Sequence, residues 1–167
     1  GQHHIETASS GNPSALVNLG QGMQWSYAAN DQIASGKGLR DDSYLGMCGG
    51  CHSRRRIIGE INPGQDFREQ YQISFLEEGL YYPDGQIQDE VFVLGSFMQS
   101  RMYQSGVTCM NCHDAHDGKI KIKGNGLCAQ CHSPKVFDQI SHAGHTREQA
   151  KCVDCHMPER IYMGIDA

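Results

Sequence analysis

The chain has 167 residues, enough for one domain, yet only 38% are apolar, and twenty glycines and five prolines break up what regular structure they allow. A formal net charge of −5 argues against the clustered basic surface of a nucleic-acid module. No apolar run approaches the roughly 18 residues of a membrane span, and the opening residues lack the basic flank, apolar stretch and cleavage site of a signal peptide.

Residues 1–47 read as loop, short helix over the apolar stretch 16–27, and loop again, with small polar clusters at 7–14 and 34–40. Cys48-Gly-Gly-Cys51-His52 follows, and directly after it Arg54-Arg55-Arg56. A long insert comes next, in which residues 80–87 have the chemistry of a tight turn or hairpin. Asp89 is placed to cap a helix near 89–105 whose Val91, Leu94, Met98 and Met102 follow helical spacing, with Gly106 as its stop. That stripe, with Phe92, Phe97 and Tyr103 nearby, reads first as core, and a cofactor face is the alternative. Beyond it stand Cys109-Met-Asn-Cys112-His113, Cys128-Ala-Gln-Cys131-His132 and Cys152-Val-Asp-Cys155-His156, with the alternating residues 119–123 predicted as a short exposed strand whose lysines face water.

Every one of the eight cysteines therefore lies in a C-x-x-C-H unit. With histidine at nine positions of 167, a histidine after all four pairs arises by chance roughly once in 100,000 trials. On one helical turn, residues i, i+3 and i+4 share a face, so two thiols and an imidazole reach the same flat object. Two thiols can add across the vinyl groups of haem while the adjacent imidazole binds iron, and C-x-x-C-H is the signature of that attachment. Zinc sites and disulfides are the alternatives for paired cysteines, and the fourfold histidine register weighs against both.

The expectation is thus four covalently attached haem c groups: Cys48, Cys51, Cys109, Cys112, Cys128, Cys131, Cys152 and Cys155 as tethers, and His52, His113, His132 and His156 as proximal ligands. Four macrocycles supply the apolar surface that the chain lacks, so the chain without them should be largely unfolded. The fold expected is a single multihaem domain over 1–167: short α-helices and irregular loops wrapped around four haems, with little or no sheet. Its parts are 1–47, a first haem with its insert over 48–108, and a three-haem cluster over 109–167. The clustering follows from spacing, since 56 residues separate His52 from Cys109 but only 14 and 19 separate the later motifs. Arg54, Arg55 and Arg56 are placed to neutralise haem propionates.

Five histidines remain for the distal positions: His3, His4, His116, His142 and His145. His116 is too close to His113 to reach the far face of the same iron and is expected to serve a neighbouring haem. His142 and His145 are further distal candidates, and His3 and His4 compete for the last position. Met110 and Met157 carry thioethers able to take a distal place, but the spare histidines make that unnecessary.

The motif-bearing stretches 48–55, 78–106, 109–116, 127–134 and 152–163 resemble multihaem c-type cytochromes related to the tetrahaem cytochrome of ammonia oxidisers, whose larger members often carry tetratricopeptide repeats. The resemblance implies a distal role for His116, His142 and His145. The opening Gly1-Gln2-His3-His4 is similar to the end of a further segment in longer relatives, and by that likeness His4 rather than His3 is the ligand.

The function expected is electron transfer through closely spaced bis-histidine haems, with no catalysis, in the periplasm or outside the cell, because thioether attachment is normally made beyond the cytoplasmic membrane. Redox proteins are the expected partners, with a homo-polymer or larger multihaem assembly as an extension, and neither nucleic acid nor a membrane span is expected. The alternative is a multihaem oxidoreductase, or a fragment of one, with an open iron acting on a small nitrogen or sulfur compound.

Overall fold

Glycine and proline keep the elements short: among the described residues helices run from four to seven residues and strands from two to four. The structure, a computed structural model, describes residues 5–6, 9–11, 23–40, 42, 44–62, 65–144, 150–159, 161–162 and 165–166.

The described chain opens with an antiparallel hairpin, β1 (Met23–Ser26) and β2 (Ser35–Gly38), paired from Met23↔Gly38 to Ser26↔Ser35. This corrects the expected helix over 16–27 in its described part, the remainder lying outside the described residues. Met23 and Trp25 are half-buried while Gln24 and Ser26 are exposed, which is the period of two of a strand. The small-residue cluster expected as loop supplies the partner, and a Cβ at Gly36 would stand 3.1 Å from the Trp25 ring. Gly106 takes φ +98° against the Met23 side chain, so hairpin and second motif meet at a residue with no Cβ.

Residues 44–108 carry their own core. A π-turn (Leu45–Gly49), α1 (Phe67–Gln70) and α2 (Val93–Gln99) bring Tyr44, Leu45, Phe67, Tyr71 and Leu94 together, with Ile73, Met98 and Cys109 packed against them. Gly49 lies so close beneath Phe67 and Leu94 that a Cβ there would be 2.8 and 2.9 Å from them. The hairpin of β3 (Arg55–Ile57) and β4 (Tyr71–Ile73) closes one side. Asp66 caps α1 by accepting from the Arg68 N–H at 2.8 Å, and the Arg68 side chain holds its carboxyl down at about 2. Buried Gln70 is satisfied by backbone groups of Asn62, Gln65 and Asp66.

The 80–87 turn forms as a hairpin-like loop: Tyr82 N–H donates to Gln86 O at 2.8 Å, Gln88 N–H to Leu80 O at 3.0 Å, and Gly85 takes φ +83°. The single helix expected near 89–105 is instead two, α2 and α3 (Arg101–Gln104), and it starts at Val93 rather than after Asp89. Ser100 turns extended, ψ 153°, and its hydroxyl accepts from Tyr103 N–H at 3.1 Å, so a residue that competes for backbone bonds ends one helix and caps the next.

Beyond Thr108 the elements are α4 (Cys109–Cys112), α5 (Gly126–Ala129), α6 (Pro134–Phe137), α7 (Ile140–Ala143), α8 (Cys152–His156) and a two-residue pair, β5 (Ile161–Tyr162) with β6 (Ile165–Asp166). The strand expected over 119–123 is reduced to a single bridge between Ile120 and His113, because Lys119 and Lys121 are drawn into local contacts with Asp117 and the Met110 carbonyl. Among the described residues no helix is long and apolar enough to cross a membrane.

Candidate functional site

Each described motif winds into one turn that closes on its first cysteine. The N–H of His52, His113 and His132 donates to the carbonyl of Cys48, Cys109 and Cys128 at 2.8, 2.9 and 2.9 Å, and in the fourth motif helix α8 runs from Cys152 through His156. Thr108 and Asn111 cap the second turn, the Thr108 N–H donating to Asn111 Oδ1 at 2.8 Å. In the fourth, Lys151 N–H donates to Asp154 Oδ2 at 2.8 Å.

Successive turns act on one another's thiols. The neighbouring Cys109 thiol lowers the Cys48 pKa and Cys48 in turn raises that of Cys109, with burial opposing the shift at Cys48 and adding to it at Cys109. Burial raises Cys128 to about 11, helped by neighbouring Cys152, and Cys112 is close enough to raise both Cys128 and Cys131 further. The Cys152 N–H also donates to Asn125 Oδ1 at 2.9 Å, fastening the fourth motif to the third. The long insert folds into a core of its own, and Cys109 at the start of the second motif packs against it.

Loops hold the histidines in place. Residues 113–121 turn back so that His113 Nδ1 meets Gly118 O at 2.8 Å, while Lys121 N–H donates to Cys112 O and Asp114 N–H to Lys119 O, both at 2.9 Å. That contact assigns the proton to Nδ1 and leaves Nε2 free as a ligand. The third motif is clamped by the N-terminal hairpin: Ala34 N–H donates to Cys131 O at 2.7 Å, Ser133 N–H to Gln32 O at 2.8 Å, and Tyr27 hydroxyl to Ala129 O at 3.2 Å. Neither clamp was visible in the sequence, although Asp114, Asp117 and Gly118 are turn-forming residues that marked the first.

His132, Phe137, His142 and His156 form a row of rings. His132 and Phe137 meet edge to face at 5.4 Å, Phe137 and His142 at 5.5 Å, and His142 lies nearly parallel to His156, 15° between planes and 6.0 Å between centroids. Burial and the charge of His156 lower the His132 pKa. Of the expected distal ligands, His142 is thus brought to a proximal histidine. His116 is not: it is exposed beside Asp114, Nδ1 at 3.6 Å from Oδ1. His3, His4 and His145 lie outside the described residues.

The donor chemistry fits a large apolar group at each turn. Met47 stands exposed beside the first motif, Ile120 and Ile122 after the second, Ile140 after the third, and Val153 and Met157 in and beside the fourth, so apolar side chains lie open where the tethers are. No three His, Cys, Asp or Glu side chains converge among the described residues, and the eight cysteines are all free thiols. The arginines after His52 already have partners: Arg54 pairs with Asp89 at 3.3 Å, Arg55 lies over the Tyr71 ring at 5.3 Å, and Arg56 donates to Gln72 at 2.5 Å, together lining a groove of about 380 Å³. Comparison with protein-family models, with curated proteins and with solved structures gives no match in any of the three.

Proposed function

We propose that the chain is an electron carrier that holds four haem c groups in series. Cys48, Cys51 and His52 hold the first, Cys109, Cys112 and His113 the second, Cys128, Cys131 and His132 the third, and Cys152, Cys155 and His156 the fourth. The observation that carries this reading is that all four Cys-x-x-Cys-His segments wind into the same single turn, with Cys109 packed on the core beside the first motif and the fourth turn fastened to Asn125 just ahead of the third. Attachment turns close to one another would put consecutive redox groups near one another, which is what stepwise electron passage needs.

Haem, when bound, supplies one-electron chemistry at its iron. The chain's own residues orient and insulate it. Gly118 O fixes the His113 ring, the 23–38 hairpin fixes the third turn, and Asn125 fixes the fourth. His142 is the distal partner proposed for His156. The His142 ring lies 6.0 Å from the His156 ring, centroid to centroid, which makes it the described histidine nearest to that motif's own imidazole among those offered as distal ligands. Bis-histidine ligation closes the iron to substrate, which favours transfer over catalysis.

Carriage outside the cytoplasmic membrane follows from thioether chemistry. Redox proteins with basic docking surfaces are the proposed partners, since propionates add to a chain already at −5, and other copies of the chain are a further partner in a haem-chain polymer. The deciding experiment is electron paramagnetic resonance of the oxidised protein, with haem stoichiometry from its mass. Four haems giving only low-spin ferric signals support the carrier. A stoichiometric high-spin iron that binds nitrite or hydroxylamine makes the protein an oxidoreductase instead.

A further inference from the structure

Phe92 has φ +60° and ψ 173°, a backbone region that glycine occupies almost alone and that is a genuine outlier for a bulky residue. Its neighbours explain the backbone but not the side chain. Val91 is 0% exposed and Leu94 2%, and the turn between them lets Val91 O accept from Arg54 N–H at 3.1 Å and Leu94 N–H donate to His52 O at 3.0 Å. Glycine would make that turn without strain. The position instead carries a phenylalanine left 47% exposed, on the segment bonded directly to the first motif's histidine.

Resting on the haem reading above, we infer that Phe92 is a positioning residue whose ring packs against the haem tethered by Cys48 and Cys51. The strained backbone aims the ring outward, while Val91 and Leu94 anchor the segment on either side. The group it meets is the one beside His52, because the two backbone bonds that fix the segment end on His52 and Arg54. A ring in that place keeps water from one haem, and burial is one of the levers that sets a haem potential. Greater water access stabilises the more highly charged ferric form, so removing the ring lowers that haem's potential.

The test uses the haem-bearing protein labelled with 4-fluorophenylalanine. Its five phenylalanines give five fluorine signals, and the one missing in Phe92→Leu is assigned to Phe92. That signal should move when paramagnetic ferric iron is reduced to diamagnetic ferrous iron. In Phe92→Gly and Phe92→Ala alike, one of the four midpoints should shift negative by about 59 mV, a tenfold change in its oxidised-to-reduced ratio, while the other three stay. A Phe92 signal that stays fixed, or four unmoved midpoints, overturns the inference while a mass with four haems leaves the carrier reading intact. A mass without haem overturns both.

Discussion

Residues 44–108 and 109–159 carry the same kind of attachment turn on different foundations. The first region buries Tyr44, Leu45, Phe67, Val91 and Leu94, and satisfies buried Gln70 from its own backbone. In the second, none of the described residues is buried, and the turns are held by hydrogen bonds, a row of rings and contacts with the hairpin and the first region. One region thus has a conventional apolar core beside its motif, whereas the other, on the haem reading proposed above, would take its apolar partner from the cofactor. On that reading, the expectation that the chain without haem is largely unfolded applies with most force to the second region.

The largest effect should appear when the full chain is produced without haem attachment and its amide hydrogen exchange is followed. Amides of residues 44–108 should retain protection, while those of 109–159 should exchange at rates close to an unstructured peptide. Uniform protection along both regions would erase the distinction, and uniform exchange would show that the core around Leu94 is too small to stand alone.

A pair of truncations sharpens the same contrast. Leu94→Ala opens a cavity among Leu45, Phe67 and Tyr71 and should cost about 2–5 kcal/mol, enough to remove the protection of 44–108. Ile140→Ala removes a side chain that is 62% exposed and should leave the protection of 44–108 unchanged, a cost within about 0.5 kcal/mol. Equal costs would mean that the second region has packing of its own.

What the sequence disclosed follows the same division. The four Cys-x-x-Cys-His turns were legible because a histidine at i+4 from the first cysteine closes one helical turn, a local geometry that the spacing alone sets. The turn at 80–87 was legible from Pro83, Asp84 and Gly85, whose backbone preferences are local. The helix break at Ser100 and the Met23–Ser26 strand were not, since each depends on a competing partner, a capping hydroxyl in one case and the glycine-bearing strand Ser35–Gly38 in the other. That Cys109 packs on the core of the insert could not be read from the chain, because it depends on where residues 44–98 come to lie. His142 was read as a distal ligand from its position ahead of the last motif, but which ring it faces is a matter of three-dimensional placement.

The smallest effect probes the seam between the two regions, where Cys109 packs on the first region's core and lowers the pKa of Cys48. With the Cys109 thiol beside it, and His113 adding positive influence, Cys48 ionises at about 7. Near neutral pH a docked Cys48 therefore carries more thiolate than an undocked one. Alkylation of Cys48 in the haem-free chain should therefore rise with pH through a midpoint at about 7 and move upward in Cys109→Ala, read by mass spectrometry of the labelled peptide. Since the low midpoint requires Cys109 in place, it reports whether the first turn of the second region stays docked after the rest has come loose. A midpoint already in the ordinary thiol range would move the boundary between the two regions to the near side of Cys109, and the turns of the first two motifs would then come together only once haem is attached.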